Sequence, residues 1–504
     1  MPESVRRRAP LPFWVWAALP VIAGAGLRFW RIGDLDAFVD ESALVLTALD
    51  SRVRDIMDPV AQGRPALLWL FAPAGWLPGH ALEVARLMTA ASGLATIAAL
   101  GWALQQLAGR TAALCGLWLW AVMPFAVLHE RLALQDPFIA ALLAWAVALM
   151  VRGTRSAQFS PGWWLGAGAL FGVACLFKIS AVLALPWLAL LYVGIPTDRA
   201  RPIFGRPLAF ITLGAIVPLL CLGPGLFRLG ANTGQAGFLP SLGSGNYWAE
   251  TPHRLLAWCN WIAGYGGWAL GVLVAGAWWL AVRARSRLAL LAAAGAALAL
   301  IVAALVHNRP FARYLLPDQV PLILFLGLAW GNALASPGLR RALAAGMLFV
   351  ATGRWAVVSL QVATDPAHAA VPPDEISQYY TGPWSGRGLG KVRDYLTAYA
   401  DDHHVTCVVL THRYFRPGAY GLMLDAVADP RIAVVPITIY EPEELAKAQL
   451  AVRRATGNQP AAFFILYEGS LYPAHPWLDA AGSPARRVFE TPHEPKDRFT
   501  LYQF

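Results

Sequence analysis

The first 361 positions are dominated by long apolar runs with short polar breaks. Residues 362–504 instead alternate short β-branched runs with amphipathic stretches. A helix needs about 20 largely apolar residues to cross the hydrocarbon core of a bilayer. Runs at or near that length cover 12–30, 84–107, 111–129, 137–151, 162–177, 180–196, 207–224, 257–281, 288–306, 314–334 and 341–361, which predicts about eleven transmembrane helices. The run Pro65–Pro78 is also apolar, but Pro73 and Pro78 break it. It is too short to cross, so a helix lying in or dipping into the interface is expected there. Further on, strands are predicted at Val405–Leu410, Ile432–Ile439, Ala461–Tyr467 and Phe499–Phe504, with helices at Leu389–Ala400 and Glu441–Ala455. The predicted architecture is a polytopic α-helical membrane region, 1–361, followed by a C-terminal extracytoplasmic α/β domain, 362–504.

Composition strengthens this division. The chain is 57% apolar and 14% charged, with a mean hydropathy of +0.50, whereas soluble domains carry about 25% charged residues. Of 30 acidic residues, 14 lie in 1–361 and 16 in 362–504, so water-facing chain is concentrated at the end. The net charge of +10 forms no basic stripe, which argues against a nucleic-acid partner. Basic residues recur between apolar runs, as in loops that set membrane topology. With Arg6–Arg8 in the cytoplasm, alternation places Arg110, Arg152, Arg155, Arg199, Arg201, Arg206, Arg283, Arg285, Arg287, Arg340 and Arg341 on the same side. That makes 14 Arg against only Glu3 and Asp198. The outer face then receives 31–83, 130–136, 178–179, 225–256, 307–313 and the C-terminal domain. No small-residue cleavage site follows the first run, so the first span is expected to stay uncleaved. Cys115, Cys175, Cys221, Cys259 and Cys407 show no paired spacing, and neither a disulfide framework nor a zinc ribbon is expected. Arg-over-Lys usage points to a GC-rich bacterium, and with the apolar spans a multi-pass protein of a bacterial plasma (inner) membrane is expected.

Candidate chemistry collects on the assigned outer face. Seven acids crowd into 34–58: Asp34, Asp36, Asp40, Glu41, Asp50, Asp55 and Asp58. In Phe38-Val39-Asp40-Glu41, two carboxylates adjoin apolar residues near the bilayer surface. Partial desolvation there suits a carboxylate to general-base work, although a helix N-cap with a solvated acidic face fits the same pattern. Asp136 precedes Pro137 between two spans, either as a site residue or as a helix cap. Lys178 is the only Lys before Lys391, and at membrane depth it needs an anionic partner or a route to the surface. His307, Arg309, Arg313 and Tyr314 sit at the outer start of a late span, as anion ligands or as interfacial anchors. Acids offer a base; Lys and Arg offer a clamp for phosphate oxygens. Together they predict a phosphate-bearing lipid substrate whose head group reacts at the outer surface.

At these residues the sequence resembles the GT-C superfamily of integral-membrane glycosyltransferases, in the group of protein O-mannosyltransferases and lipid A aminoarabinose transferases (glycosyltransferase family 39-like). Arg28–Glu41 resembles that group's first outer loop with its Asp-Glu, and Arg64-Pro65 its basic-Pro juxtamembrane helix. Arg131–Pro137 resembles the Asp-Pro loop, Phe177-Lys178 the Lys at a span end, and Arg313-Tyr314 through Pro317 the late Arg-Tyr motif. Tyr379–Gly388 resembles a Ser-Gly-aromatic-Gly element, with Arg387 in place of the aromatic. The resemblance implies a polyprenyl-phosphate sugar donor and an inverting transfer to a hydroxyl of a lipid, glycan or protein acceptor. It further implies Asp40 as general base, with Glu41 supporting it or positioning the acceptor, and Asp136 orienting a substrate. Lys178, Arg313, Tyr314, Arg64, Arg131 and His307 are implied as ligands of the donor phosphate.

No cofactor is expected. Asp34-Leu35-Asp36 has the look of an acidic metal-binding pair, but no further ligands accompany it, and His80, His253 and His307 lack a zinc spacing. Two other readings remain open: a transporter or flippase of a lipid-linked sugar, and a non-catalytic envelope assembly protein. A transporter predicts repeats and mid-membrane polar sites, neither of which the sequence shows.

Overall fold

The computed structural model of the chain describes residues 12–49, 64–196, 205–221, 249–306, 311–412, 417–437, 442–456, 460–468, 478, 483–491 and 498–503. Its helices are α1 (Phe13–Phe29), α2 (Val39–Leu49), α3 (Pro65–Phe71), α4 (Ala81–Ala108), α5 (Arg110–Ala121), α6 (Pro124–Glu130), α7 (Asp136–Arg155), α8 (Pro161–Phe177), α9 (Leu185–Gly194), α10 (Arg206–Cys221), α11 (Thr251–Arg283), α12 (Arg287–Val306), α13 (Gln319–Ala335), α14 (Leu339–Thr364), α15 (Pro373–Ile376), α16 (Leu389–His403), α17 (Pro417–Ala428) and α18 (Pro442–Thr456). The strands are β1 (Thr406–His412), β2 (Ile432–Ile437), β3 (Ala461–Glu468), β4 (Arg486–Glu490) and β5 (Phe499–Gln503).

Each predicted apolar run is mainly helical over its described residues, with non-helical breaks at 122–123 and 316–318. Among those residues six helices are long and apolar enough to cross a membrane, or seven if the bent pair α5–α6 is one span. The runs predicted at 162–177, 180–196, 207–224 and 314–334 appear as shorter apolar helices of 10–17 residues. Proline sets several of these starts: Pro161 in α8 and Pro186 in α9 occupy the first turn, where a missing N–H costs nothing. The segment after Arg64 is helical for only seven residues and continues in tight turns through Trp76.

The run predicted as one span over 111–129 is broken. Its two halves meet at 57° where Pro124 removes a backbone donor. A break at this depth frees carbonyls that lipid cannot satisfy. Arg28 of α1 answers two of them, donating Nη2 to Trp120 O at 3.1 Å and Nη1 to Ala121 O at 2.9 Å. Ser359 Oγ of α14 donates to Val122 O at 2.9 Å. Arg28 is itself neutralised by Glu130 at 2.5 Å, and Trp120 Nε1 donates to the other Glu130 oxygen at 3.0 Å. A single buried ion pair therefore fixes where the chain turns toward Asp136.

Elsewhere small residues set the spacing. A Cβ on Gly168 of α8 would lie 2.0 Å from Ile211 O, and one on Gly214 of α10 would lie 2.2 Å from Leu165 O. Only glycine permits that backbone approach.

The C-terminal residues build a five-stranded sheet in the order β2-β1-β3-β5-β4, parallel among β2, β1 and β3 and antiparallel at β5 and β4. Leu389, Val392 and Leu396 of α16 bury one face with Cys407, Val409 and Phe464. Val408, Leu410 and Ile465 face the other side. The four predicted strands are present over their described residues. The sequence reading lacks β4 and α17. The first is mostly arginine and glutamate at its ends, and the second is too short and Gly-rich to show a helical period.

This unit is stitched to the loop that carries the candidate acids. Trp384 O accepts from Val39 N at 3.1 Å, and Gly388 N donates to Asp36 Oδ2 at 3.0 Å. Gly386 adopts φ +68°, and a Cβ there would lie 2.4 Å from Ala37 O. That position needs glycine for both reasons.

Candidate active site

Asp40 and Glu41 open α2, where the helix dipole favours acids. Successive helical residues diverge by about 100°, so the neighbours face different surroundings. Glu41 is fully buried: Arg86 donates Nε to Oε1 at 2.9 Å and Nη2 to Oε2 at 2.8 Å, and Ala133 N donates to Oε1 at 2.6 Å. The remaining reach of Arg86 is spent on backbone, with bonds to Ile32 O, Leu35 O and Asp36 O. Glu41 thus ties α2 to α4 and to the loop before Asp136. Both of its oxygens are engaged.

Asp40 keeps 20% of its side chain exposed and forms an ion pair with Arg313 Nη2. Arg313 is held in an aromatic frame, 5.8 Å over Phe38, 5.1 Å over Phe311 and 5.5 Å over Tyr314. Its Nε and Nη1 are buried and have no hydrogen-bond partner among the described residues. Lys178 Nζ lies 3.6 Å from Asp136 Oδ1 and 3.4 Å over the Tyr314 ring. Asp136 is the first residue of α7 and makes no cap bond; Gln135 stands at the cap. The second Asp136 oxygen is buried without a partner among the described residues. Asp136, Lys178 and Tyr314 line a cavity of about 30 Å³, which is roomy enough to hold water. Arg64 stands at the N-cap of α3 and, like Arg313, lies within electrostatic reach of Lys178. The fold therefore brings Asp40, Asp136, Lys178, Arg313, Tyr314 and Arg64 together from five separate segments.

Arg131 is not part of that cluster's ion pairing. Its Nη1 donates to Leu27 O, Arg28 O and Trp30 O and its Nη2 to Ala363 O, which caps the end of α1 and pins α14. Its Nε is buried without a hydrogen-bond partner among the described residues. His307, Arg309, Asp50, Asp55, Asp58 and Arg6–Arg8 lie outside the described residues. Asp34 pairs with Arg31, and Asp36 accepts from Gly388 N. Among the described residues no three His, Cys, Asp or Glu side chains gather as a metal-ligand group.

A second buried polar group adjoins the first. Tyr265 of α11 donates its hydroxyl to Glu375 Oε2 at 2.5 Å, and His129 Nε2 lies 3.5 Å from the same oxygen. Tyr379 packs edge-on against Phe38 at 4.8 Å and against His129 at 5.7 Å. Burial pushes the Glu375 carboxyl up to about 7, against the smaller pull of its Tyr265 hydrogen bond and of Arg313.

The sequence reading singles out neither Arg86 nor the group around Glu375. Arg86 carried a usable signal, a lone charge inside an apolar run, which at membrane depth demands a partner. Glu375 carried none, being one of many acids in 362–504.

Residues 62–226 match the family described as dolichyl-phosphate-mannose-protein mannosyltransferase. ArnT from Cupriavidus metallidurans in the apo state superposes with a TM-score of 0.54 at 16% identity, covering 97% of both chains. The same protein bound to undecaprenyl phosphate gives 0.50 at 15% identity, covering 97% of this chain and 98% of that one. The apo oligosaccharyltransferase of Archaeoglobus fulgidus gives 0.51 at 12% identity, covering 99% of this chain and 75% of that one. No curated protein matches the sequence. Residues 62–226 are thus similar to that mannosyltransferase family, and the chain as a whole is a multi-pass membrane protein that shares the fold of ArnT.

Proposed function

We propose that this protein moves a sugar from a polyprenyl-phosphate-linked donor to a hydroxyl of an acceptor on the outer membrane face. The donor precedent is the undecaprenyl phosphate bound by the similar ArnT. The observation that carries the reading is the Asp40–Arg313 pair, in which Arg313 retains two buried donors without partners among the described residues. A phosphate oxygen fits those donors. On binding it draws Arg313 away from Asp40, and the carboxylate is then available as a base. The acceptor hydroxyl loses its proton to Asp40 while its oxygen attacks the anomeric carbon. The bond from that carbon to the phosphate oxygen breaks, its electron pair stays on the phosphate, and the configuration inverts. Arg313 and Lys178, with Arg64 nearby, meet the charge of the departing lipid phosphate. Asp136 sets the Lys178 ammonium, and Glu41 positions the turn that presents Asp40. No cofactor enters this reading. Residues 362–504 brace the catalytic loop through Trp384 and Gly388.

Asp40→Asn tests it. The purified variant in nanodiscs should still fold and bind undecaprenyl phosphate. Transfer from lipid-linked sugars should drop by about 10²–10⁴-fold. Substantial turnover by Asp40→Asn defeats the assignment, and a wild-type protein that moves intact lipid-linked sugar across the bilayer favours a transporter. Mass spectrometry of envelope lipids and glycans in a deletion strain identifies sugar and acceptor.

A further inference from the structure

Buried polar atoms without hydrogen-bond partners among the described residues gather around Tyr379: its own hydroxyl, Arg313 Nε and Nη1, Asp136 Oδ2 and Glu375 Oε1. Arg313, Glu375, Asp40 and Asp136 all lie within electrostatic reach of that phenol. Folded proteins pair nearly all their buried polar groups, so such a convergence marks a place that water or ligand fills. The Tyr379 ring is 2% exposed and is clamped edge-on by Phe38, two residues before Asp40, and by His129. Its apolar body therefore has a packing role, while its hydroxyl has none among the described residues.

We propose that Tyr379 is a further substrate-contacting residue, whose hydroxyl donates a hydrogen bond to the same donor phosphate that Arg313 holds. The assignment rests on the transferase reading above. Burial holds the phenol well above its ordinary pKa, so it keeps its proton and acts only as a donor. No proton leaves Tyr379 in the transfer: the acceptor's proton goes to Asp40 and the electron pair of the broken bond goes to the phosphate. The phenol's hydrogen bond strengthens as charge grows on that oxygen, which is where a preorganised donor helps most. It also offsets the repulsion between the phosphate and the two nearby carboxylates, Asp40 and Asp136.

Tyr379→Phe separates this role from a packing role, because it keeps the ring and removes only the unpartnered hydroxyl. If the hydroxyl merely sits in the core, the variant melts at the same or a higher temperature and binds and turns over like wild type. The proposal predicts the same or higher melting temperature together with weaker binding of undecaprenyl phosphate, by about tenfold or more. Native mass spectrometry or tryptophan quenching in nanodiscs reads the affinity, with undecaprenol, which lacks the phosphate, as the control ligand. Its affinity should not change. Arg313→Ala is measured alongside. If Arg313→Ala loses binding and Tyr379→Phe does not, this proposal fails and the transferase reading stands. If wild type does not prefer undecaprenyl phosphate to undecaprenol, the reading itself fails, and this proposal with it.

Discussion

Removing Glu41 should cost the protein its fold rather than only its activity. The side chain is completely buried and accepts three hydrogen bonds, two from Arg86 and one from Ala133 N. Arg86 is buried as well, so Glu41→Ala leaves an uncompensated guanidinium in a dry site. Breaking a buried pair from one side costs about 3–5 kcal/mol. Glu41→Gln keeps the shape but loses the charge, and should fall at the lower end. Arg86→Met leaves the opposite charge bare and should cost as much; it also frees Ile32 O, Leu35 O and Asp36 O. The double variant Glu41→Gln/Arg86→Met removes both charges, so it should be clearly more stable than the sum of the singles predicts. Thermal and SDS unfolding in detergent measure the four proteins. Single variants as stable as wild type, or strictly additive losses, would refute the structural reading. A stable but inactive Glu41→Gln would return this carboxylate to the chemistry.

Lys178→Ala and Arg313→Ala should each weaken donor use far more than acceptor use, by about 1.5–3 kcal/mol, and the pair should be non-additive in a double-mutant cycle on donor KM and kcat. Additive losses confined to expression would make both residues anchors. The topology predicted from the arginines puts 362–504 outside. Asp402→Cys, at an exposed position, should react with an impermeant maleimide in intact spheroplasts of a Cys259→Ser background, because Cys259 is the exposed thiol among the described residues. Labelling only after lysis would invert the arrangement. Glu375 is held near 7 when folded against an ordinary value of 4.5. Its contribution to stability is therefore full below about 4.5 and lost as pH rises through about 7. Its neighbours His129, Tyr265, Arg313 and Asp374 remain in place in Glu375→Gln, so that variant should flatten the stability profile across this window; an unchanged slope would assign it elsewhere.

The sequence by itself determined the elements that depend on local pattern. Apolar runs of sufficient length become helices wherever they sit, because lipid leaves no other way to satisfy the backbone. Short β-branched runs in 362–504 become the parallel strands β1, β2 and β3. The candidate acids and cations were legible as residue types out of place: Lys178 alone in an Arg-rich chain, and Asp40 and Glu41 beside apolar neighbours.

Only the tertiary structure decided which of them work together. Asp40 and Glu41 are adjacent in sequence, yet one faces Arg313 and the other is sealed against Arg86, because a helix turns between them. Arg131 and Arg313 look alike as outer-loop arginines, yet Arg131 spends both of its terminal nitrogens on backbone carbonyls of Leu27, Arg28, Trp30 and Ala363, while Arg313 pairs with Asp40. Pro124 lies inside a run that reads as one span, and the repair of its break by Arg28 and Ser359 joins positions 93 and 237 residues apart. Tyr379, Glu375 and His129 meet through packing of distant segments, for which one chain read alone carries no pattern. Periodicity records which face of an element is buried. It does not record what that face is buried against, and that partner determines what a charged side chain does.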